Sequence, residues 1–326
     1  MQIAFRFDMR APSFGTDRTR LYHEMLEMVS WGDEHGFTQV RISEHHGVAD
    51  GYLPAPLIAA AAIAARTEHL RIGIAALVLT LHNPVSVAEQ LAVLDHISRG
   101  RLDVTLAAGY VPSELAMFGV DARQRGTLIE ENLRVLRAAW SGEEFEYLGR
   151  RMRVTPRPLQ KPHPPLWLGG STAAAARRAA RQGIGFDTHL KELHAQYADE
   201  ARRLGFTPTA AMNFGPTFLH VTEDPLGDWA RIAPHALHET NAYGRWAAEA
   251  GLDSSYKAVD SADALRAQGG YAVVTPEQCI ELARNLGATG TLLFHPLMGG
   301  MDPDLSWKSL RLFERRVLPQ IRHLSP

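Results

Sequence analysis

The sequence contains very little cysteine. Among its 326 residues only Cys279 is a cysteine, which excludes an internal disulfide and a metal site built from several thiolates. The surrounding residues, 276–285, have a helical pattern, and a lone thiol on such a helix is more often buried and inert than nucleophilic. We therefore predict no thiol chemistry for this chain.

An excess of charge and a membrane-length apolar run are also missing. Lys and Arg number 34, Asp and Glu number 36, and the formal net charge is −2. This balance indicates no basic surface for nucleic acid or anionic lipid. No uncharged stretch reaches the ~20 apolar residues of a membrane span, and residues 1–7 do not resemble a signal peptide. We expect a cytoplasmic protein without nucleic-acid or membrane partners.

The stretch 70–109 has the clearest structural pattern. Residues 70–79 are almost all apolar, which is typical of a strand buried on both faces. Asn83 and Pro84 suit the cap and first position of a helix. Apolar residues then recur at spacings of three and four, at Val87, Leu91, Leu94 and Ile97. Gly100 suits the helix end, and a second apolar run occupies 102–107. This strand–helix–strand crossover predicts a parallel pair of strands.

The same alternation continues along the whole chain. Eight strands are predicted, at 3–7, 37–42, 70–79, 102–107, 166–168, 184–186, 212–221 and 291–294. Helices are predicted between and after them, at 19–35, 56–67, 83–100, 126–141, from 172, at 191–204, 225–249, 275–286 and 304–321. A short β excursion is expected at 145–154, and 251–271 reads as polar and irregular. The pattern predicts an α/β fold, a (β/α)8 TIM barrel in one domain, 1–326, with an insertion between strands seven and eight.

In a barrel of this kind, functional residues lie at the carboxyl ends of the strands. This rule selects candidates without any other information. They are Asp8, the triplet Glu44, His45 and His46, Ala75 and Ala76, Gly109 and Tyr110, the run Gly170, Ser171 and Thr172, Asp187 and Thr188, and His295.

The histidine pair is the first chemical candidate. Histidine exchanges protons near neutral pH, but adjacent residues of an extended segment point to opposite sides, so we expect only one to face the site. A structural histidine and a catalytic one are equally compatible with the pair alone. Because the sequence has no HExxH spacing and shows no carboxylate–histidine cluster, we expect no metal.

The run Gly169-Gly170-Ser171-Thr172 is the second candidate. Glycines let a backbone approach an anion, and a helix N-terminus offers free N–H groups and a positive dipole. The run therefore suits a phosphate site, although for the run taken alone a simple Ser or Thr helix cap is the better explanation.

Several stretches together resemble the bacterial-luciferase-like flavin oxidoreductase family. They are SEHHGVADGYLPAPL, GIAALVLTLHNPVSVAEQLAVLDHISRGRLDVTLAAGYVPSELAMFGV, RQRGTLIEENLRVLRAAW and PPLWLGGSTAAAARRAARQGIGF. They follow one another in the family's order between 42 and 186, and the match fades in 224–290.

The resemblance implies a flavin or deazaflavin site at the strand ends. His45 matches the family's catalytic histidine, and Ala75-Ala76 matches a non-proline cis peptide that forms a bulge behind the flavin ring. Gly170, Ser171 and Thr172 match the family's phosphate site, and Arg125 matches an arginine that luciferases use for the same phosphate. Tyr110, a strand-end candidate, is also expected to bind the cofactor. Where luciferases carry a reactive cysteine and then an arginine, this chain has Ala107 and Ala108, which argues against light emission.

The resemblance favours a two-component monooxygenase that uses reduced FMN, O2 and a flavin reductase partner on a small organic substrate such as a carbonyl compound. A dehydrogenase using the deazaflavin F420, with His45 as general base, is the alternative. A third possibility is a non-catalytic flavin-binding barrel. The alanine-rich helix 56–65 and the off-stripe residues Val85 and Val93 also predict a homodimer through helices two and three, with Ala60 or Ala64 as possible contact positions.

Overall fold

The structure is a computed structural model that describes residues 1–210, 213–252 and 257–324, with only the backbone described for 213 and 214. Contacts within the chain group it into two compact units. The first unit comprises Met1–Arg41, Val48–Pro54 and Asn213–Pro326, and the second comprises Ile42–Gly47 and Ala55–Met212. Each unit is described separately, and the single domain over 1–326 stays a prediction.

The elements alternate between strand and helix along most of the chain. The strands are β1 Gln2–Phe7, β2 Gln39–Ile42, β3 Arg71–Val78, β4 Leu102–Ala107, β5 Phe145–Tyr147, β6 Arg150–Met152, β7 Leu166–Gly169, β8 Gly185–Asp187, β9 Asn213–Phe214, β10 Phe218–Val221, β11 Tyr271–Val274 and β12 Gly290–Phe294. The helices are α1 Arg18–Glu34, α2 Pro56–Arg66, α3 Pro84–Ile97, α4 Pro112–Met117, α5 Arg125–Ser141, α6 Ala173–Gln182, α7 Lys191–Arg203, α8 Pro225–Glu249, α9 Ala262–Ala267, α10 Pro276–Leu286, α11 Pro303–Leu312 and α12 Leu318–Ile321.

The first unit is built on parallel strands in the order β11, β10, β12, β1 and β2, with β9 beside β12. Ile3 of β1 lies opposite Leu292 of β12 in parallel register. Aromatic rings fill the layer between strands and helices: Phe5 stacks on Phe37 at 4.1 Å, and Phe294 meets Phe313 edge-on at 4.8 Å. Cys279 is buried in this unit, as predicted, and desolvation raises the pKa of its thiol to about 12.

The second unit is built on parallel strands in the order β3, β4, β7 and β8. The predicted crossover over 70–109 is confirmed: Asn83 caps α3 by accepting hydrogen bonds from the Val85 and Ser86 N–H groups. Buried Trp140 of α5 donates its indole N–H to the Ala88 carbonyl at 3.0 Å, which ties α5 to α3. The predicted β excursion is the antiparallel pair β5 and β6.

Two predictions in the segment before β12 were wrong. The stretch 251–271 was expected to be irregular, but it contains α9 and leads into β11, which pairs in parallel with β10. The apolar run of β11 is short and lies next to polar residues. A four-residue strand is too short for an alternation of apolar and polar residues to be detected. Strand seven, expected at 212–221, is divided into β9 and β10. Residues 212 and 253–256 of these predictions lie outside the described residues.

The predicted outer face of helix α2 was wrong: the two alanines proposed as contact positions point into the protein. Ala60 and Ala64 are 0% and 3% exposed, so both face the core rather than solvent. Ile58 is 76% exposed, and Val93 and Ile97 of α3 are 45% and 44% exposed, which also removes Ile97 from the predicted buried stripe. In the described ranges no helix is both long and apolar enough to cross a membrane.

Candidate functional site

His45 forms a buried dyad with a carboxylate in the second unit. The segment after β2 carries His45, and its Nδ1 lies 2.7 Å from Oε1 of Glu114 on α4. The same oxygen accepts the His46 backbone N–H at 3.2 Å. A carboxylate oxygen accepts hydrogen bonds, so Nδ1 of His45 is the donor in this contact. Glu114 was missed from the sequence because it lies 69 residues from His45 on a six-residue helix that was not predicted.

A second carboxylate, Glu44, collects hydrogen bonds on the same segment. Its Oε1 accepts from Nε2 of His46 at 2.7 Å and from Nε2 of His82 at 2.5 Å. Its Oε2 accepts the Val78 N–H at 2.5 Å. Burial raises the pKa of Glu44, but the hydrogen bonds from His46, His82 and Val78 outweigh it and hold the pKa at about 2, so the group is ionised. His46 was expected to point away from the catalytic site, and it belongs instead to this second polar cluster.

The predicted cis peptide is present between Ala75 and Ala76. The register between β3 and β4 shifts at this point, so Ala76 forms a bulge. The Ala75 carbonyl accepts a hydrogen bond from the Ser43 hydroxyl at 2.7 Å, which links the bulge to the segment that carries His45. Both alanines are partly exposed, so this edge of β3 offers a small apolar surface. The predicted cis bond is confirmed, and its contact with a flavin stays a prediction.

The run before α6 has free backbone donors. Thr172 caps α6 by accepting the Ala175 N–H at 3.2 Å, so Thr172 and not Ser171 is the cap. The Ala173 and Ala174 N–H groups have no partner within the described residues. A Cβ on Gly170 would approach the Ala175 side chain to 2.5 Å, so only glycine fits there. The exposed Ser171 and the open N–H groups suit an anion such as phosphate.

Arg125 and Tyr110 complete the set predicted from the sequence. Arg125 starts α5, and its guanidinium makes no hydrogen bond or ion pair with any part of the chain that the structure describes. The neighbouring Gly126 lies against the Arg178 side chain of α6, so the start of α5 is close to the helix with the open donors. The Tyr110 ring meets the His45 ring edge-on, with 6.1 Å between centroids. All eight predicted site residues belong to the second unit.

The first unit contains a different polar cluster, formed by Asp8, Arg10, Glu239 and His295 and called the Asp8 cluster below. Both ring nitrogens of fully buried His295 lack a hydrogen-bond partner among the described residues. Nε2 lies 3.7 Å from Oδ2 of Asp8, and Nδ1 lies 3.6 Å from Oε1 of Glu239. Burial and the guanidinium groups of Arg6 and Arg10 lower the pKa of His295 well below its usual value, so the imidazole is neutral.

Two carboxylates beside Arg10 have opposite pKa shifts. Burial and the Glu239 carboxylate raise the pKa of Asp8 from 3.8 to about 6, against the pull of Arg10. Burial also acts to raise the pKa of Asp50, but hydrogen bonds from His238 and Arg10, at 2.6 and 2.7 Å, lower it to about 2. Above pH 6 an ionised Asp8 therefore destabilises the fold, whereas an ionised Asp50 stabilises it.

Replacing Asp8 by Asn should stabilise the protein at neutral pH. The raised pKa means that the folded wild type loses stability as pH rises from about 4 to about 6, by about 3 kcal/mol. Asp8→Asn removes this loss, so its advantage should be near zero at pH 4 and maximal above pH 6. Urea unfolding at both pH values measures it. Asp50→Asn is the matched control and should lower stability at pH 7.5; an Asp8→Asn protein less stable than wild type at pH 7.5 contradicts the assignment.

The structure corrects the expectation that no carboxylate–histidine cluster exists. Within the described ranges two groups bring potential ligand atoms within 4.8 Å of one another, one formed by Glu44, His46 and His82 and the other by Asp8, Glu239 and His295. The sequence could not show either, because each cluster contains residues that lie far apart in the chain. Asp187 and Thr188, also candidates, lie at the end of β8, where Asp187 accepts a hydrogen bond from Thr105 at 2.9 Å.

Comparison with known proteins shows which family this chain resembles. A family model described as luciferase-like monooxygenase matches residues 5–291. The FMNH2-dependent dimethylsulfone monooxygenase of Pseudomonas putida is 28% identical over 316 residues, which cover 90% of this chain and 85% of that protein. The oxygenase component of the flavin-dependent trigonelline monooxygenase of Acinetobacter baylyi is 26% identical, with 76% of this chain and 72% of that protein covered. The chain spans about half the length, 55%, of another curated relative that is 32% identical to it.

A solved structure extends the likeness to the fold. The crystal structure of the monooxygenase RslO1 from Streptomyces bottropensis covers 98% of this chain with a TM-score of 0.75 and 26% identity, and this chain covers 99% of it. The α/β fold class, with parallel strands of the luciferase-like barrel type, is confirmed by this match and by the family model. The chain belongs to the luciferase-like monooxygenase family.

Proposed function

We propose that the protein is the oxygenase of a two-component, FMN-dependent monooxygenase that acts on a small organic substrate with O2. The observation that carries this proposal is the buried dyad of His45 and Glu114 on the segment that Ser43 ties to the Ala75–Ala76 bulge. A proton-exchanging side chain and a partly exposed apolar edge are thereby held together within one unit. The mechanism belongs to the flavin, and the chain supplies binding, orientation and proton transfer.

The residues present suit a phosphorylated flavin. Open N–H groups at the start of α6 and the Ser171 hydroxyl offer hydrogen bonds to a phosphate, and the unpaired Arg125 guanidinium offers charge. The Ala75–Ala76 bulge offers an apolar support for the flattened ring system, with Tyr110 beside His45 as a further contact. When bound and reduced, FMN supplies the two electrons that activate O2.

His45 acts as the proton carrier of this site. Glu114 binds Nδ1 of His45, so the proton that the imidazole exchanges with the reacting centre would pass through Nε2. Burial of both side chains keeps the dyad in one orientation and strengthens the attraction between the carboxylate and a protonated imidazole. The Tyr110 ring lies edge-on to the imidazole.

Relatives support the cofactor and a partner. One relative is described as FMNH2-dependent and another as an oxygenase component, and the latter term implies a separate reductase. We extend both features to this chain: reduced FMN as cofactor, and a flavin reductase as the partner that supplies it. A cytoplasmic location fits this role, since reductase and oxygenase must share one compartment.

An anaerobic titration tests the cofactor. Reduced FMN should bind with one equivalent per chain and change its absorbance, whereas F420 should not. Admission of O2 should then oxidise the bound flavin at a rate that differs from that of free reduced FMN. Tight binding of F420 instead would favour the alternative dehydrogenase, and bound flavin that neither O2 nor any substrate turns over would favour a non-catalytic flavin-binding barrel.

We also propose a two-fold homodimer through α2 and α3. The exposed side chains Ile58, Val93 and Ile97 form apolar surface on these helices, and partly exposed Ala61 and Ala62 leave no polar side chain on the exposed face of α2 before its last residue, Arg66. Apolar surface of this kind on a water-exposed helix pair marks an interface.

Ile58→Glu should therefore dissociate the dimer. A charge placed in an apolar interface without a partner costs several kcal/mol, which raises the dissociation constant by roughly 10²-fold or more. Analytical ultracentrifugation over a concentration series measures the shift. Leu226→Glu is the matched control, because Leu226 is 70% exposed on α8 of the first unit. Wild type that is already monomeric at micromolar concentration would refute the dimer.

A further inference from the structure

Three ligand-bearing side chains of the second unit converge on one point. Glu44 and His46 come from the segment after β2, and His82 comes from the turn that precedes α3. Both imidazoles direct Nε2 at the same oxygen, Oε1 of Glu44, at 2.7 and 2.5 Å. We call these three residues the Glu44 cluster. The dyad of His45 and Glu114 does not include any of these side chains, so the proposed proton transfer leaves the cluster without a role.

The donor set of the Glu44 cluster is that of a metal site. Two imidazole nitrogens and one carboxylate are the three protein ligands of many zinc sites that keep a fourth position open. In a metal site of this kind without its ion, protons can bridge the ligands. Two imidazole N–H groups directed at one carboxylate oxygen are such an arrangement. Glu44 is buried, and a carboxylate ligand supplies a negative charge to a metal ion, which an imidazole ligand does not.

The surroundings hold the ligands in place and leave a path for entry. The Val78 N–H binds the other oxygen of Glu44, which fixes the carboxylate plane. The ring of His46 packs edge-on against Phe118 with 4.6 Å between centroids. Outer contacts of this kind orient metal ligands. The side chain of His82 is 27% exposed, so an ion can reach the cluster from that side.

The charges distinguish this cluster from the Asp8 cluster. There, Arg6 lies 3.0 Å from Glu239 and Arg10 lies 3.7 Å from Asp8, so guanidinium groups already neutralise the carboxylates and repel a cation. No Lys or Arg forms an ion pair with Glu44 within 1–210, 213–252 and 257–324. Because its partners are histidines, which can themselves be metal ligands, Glu44 is better placed than the carboxylates of the Asp8 cluster to bind a cation.

We propose that Glu44, His46 and His82 bind one divalent transition-metal ion of the zinc class, with the remaining coordination positions filled by water. Each imidazole must present its Nε2 lone pair, so its proton moves to Nδ1 or is released to solvent. Ligand atoms that share an ion at about 2.0–2.2 Å lie more than 3 Å apart, so the nitrogens must retreat from Oε1 by somewhat less than 1 Å. The His82 side chain is partly exposed, so it can shift by this distance.

Cobalt titration of the full chain tests the site. Protein without a histidine tag, stripped with a chelator, should take up one equivalent of Co2+ and develop the visible d–d absorption of a site with fewer ligands than aqueous Co2+. Zn2+ should displace it stoichiometrically. His46→Ala and His82→Ala should each lose the band, and Glu44→Gln, which keeps an acceptor but loses the charge, should weaken binding at least about tenfold.

His96→Ala is the matched control, because His96 is exposed on α3 and, among the described residues, its side chain hydrogen-bonds only to the Arg157 carbonyl. It should bind Co2+ like wild type. Far-UV circular dichroism confirms that each variant is folded. A wild-type protein that develops no d–d band overturns the proposal without any variant, and so does a band that persists in His46→Ala and His82→Ala, because the ion would then bind elsewhere among the 15 histidines.

Discussion

Turnover should fall roughly 10²- to 10⁴-fold when His45 is replaced by Ala, the range typical of a general acid or base. The imidazole that exchanges a proton at Nε2 is lost, while the open N–H groups of α6 and the Ala75–Ala76 bulge remain. The affinity for reduced FMN should therefore change little. Stopped-flow turnover with a supplied reduced flavin, together with a binding titration, measures both quantities.

Glu114→Gln separates proton transfer from folding. Its amide oxygen can still accept the Nδ1 proton of His45 but carries no charge to stabilise a protonated imidazole, so kcat should fall less than in His45→Ala and flavin affinity should stay the same. His163→Ala, a partly buried histidine whose Nδ1 lies near the Pro164 carbonyl, is the control and should keep full activity. If His45→Ala retains wild-type turnover, His45 is structural and the proposed role is wrong.

Cofactor binding should be abolished when Ser171 is replaced by Asp. The new carboxylate would stand where the proposed phosphate lies, and two like charges about 4 Å apart repel by about 4 kcal/mol at the effective dielectric of a protein surface, close to a thousandfold loss of affinity. The fold should survive, because Ser171 is exposed and the cap of α6 is Thr172. Fluorescence or absorbance titration with FMN measures the loss.

Ser171→Asn is the matched control, since it has nearly the same shape as Asp but no charge. It should bind FMN within a few fold of wild type. If the Asp and Asn variants bind FMN equally well, the phosphate does not lie at Ser171, and the argument from the start of α6 fails. If both bind poorly while circular dichroism is unchanged, steric crowding and not charge is responsible.

Much of the second unit follows from local pattern. The apolar run of β3, the cap at Asn83 and the apolar run of β4 are each encoded within a few residues, and β4 was predicted at its observed bounds. The glycine at 170 was also readable, because only a residue without Cβ fits so close to the start of a helix. Such features depend on sequence neighbours, so a single sequence is sufficient to predict them.

The local pattern failed where an element is short or its partners are distant. Helix α4 has six residues, and its period is too brief to be recognised, so Glu114 was not expected near His45. Strand β11 is defined by pairing with β10, about 50 residues earlier in the chain. The outer face of α2 was also misjudged, because its six alanines leave the direction of the core undetermined and only packing decides that Ala60 and Ala64 are buried.

The sequence by itself determined the alternation of strands and helices, the family's motifs and the positions of His45, Gly170 and the Ala75–Ala76 bulge. Only the tertiary structure decided which carboxylates and histidines are hydrogen-bonded to each other. Glu44 is hydrogen-bonded to His82, which lies 38 residues away in the chain, and Glu114 is hydrogen-bonded to His45, which lies 69 residues away. Parallel strands bring their carboxyl ends to one edge whatever their separation in the chain, so side chains that share no sequence pattern become neighbours there. The proton-carrying dyad and the proposed metal site both arise from that geometry.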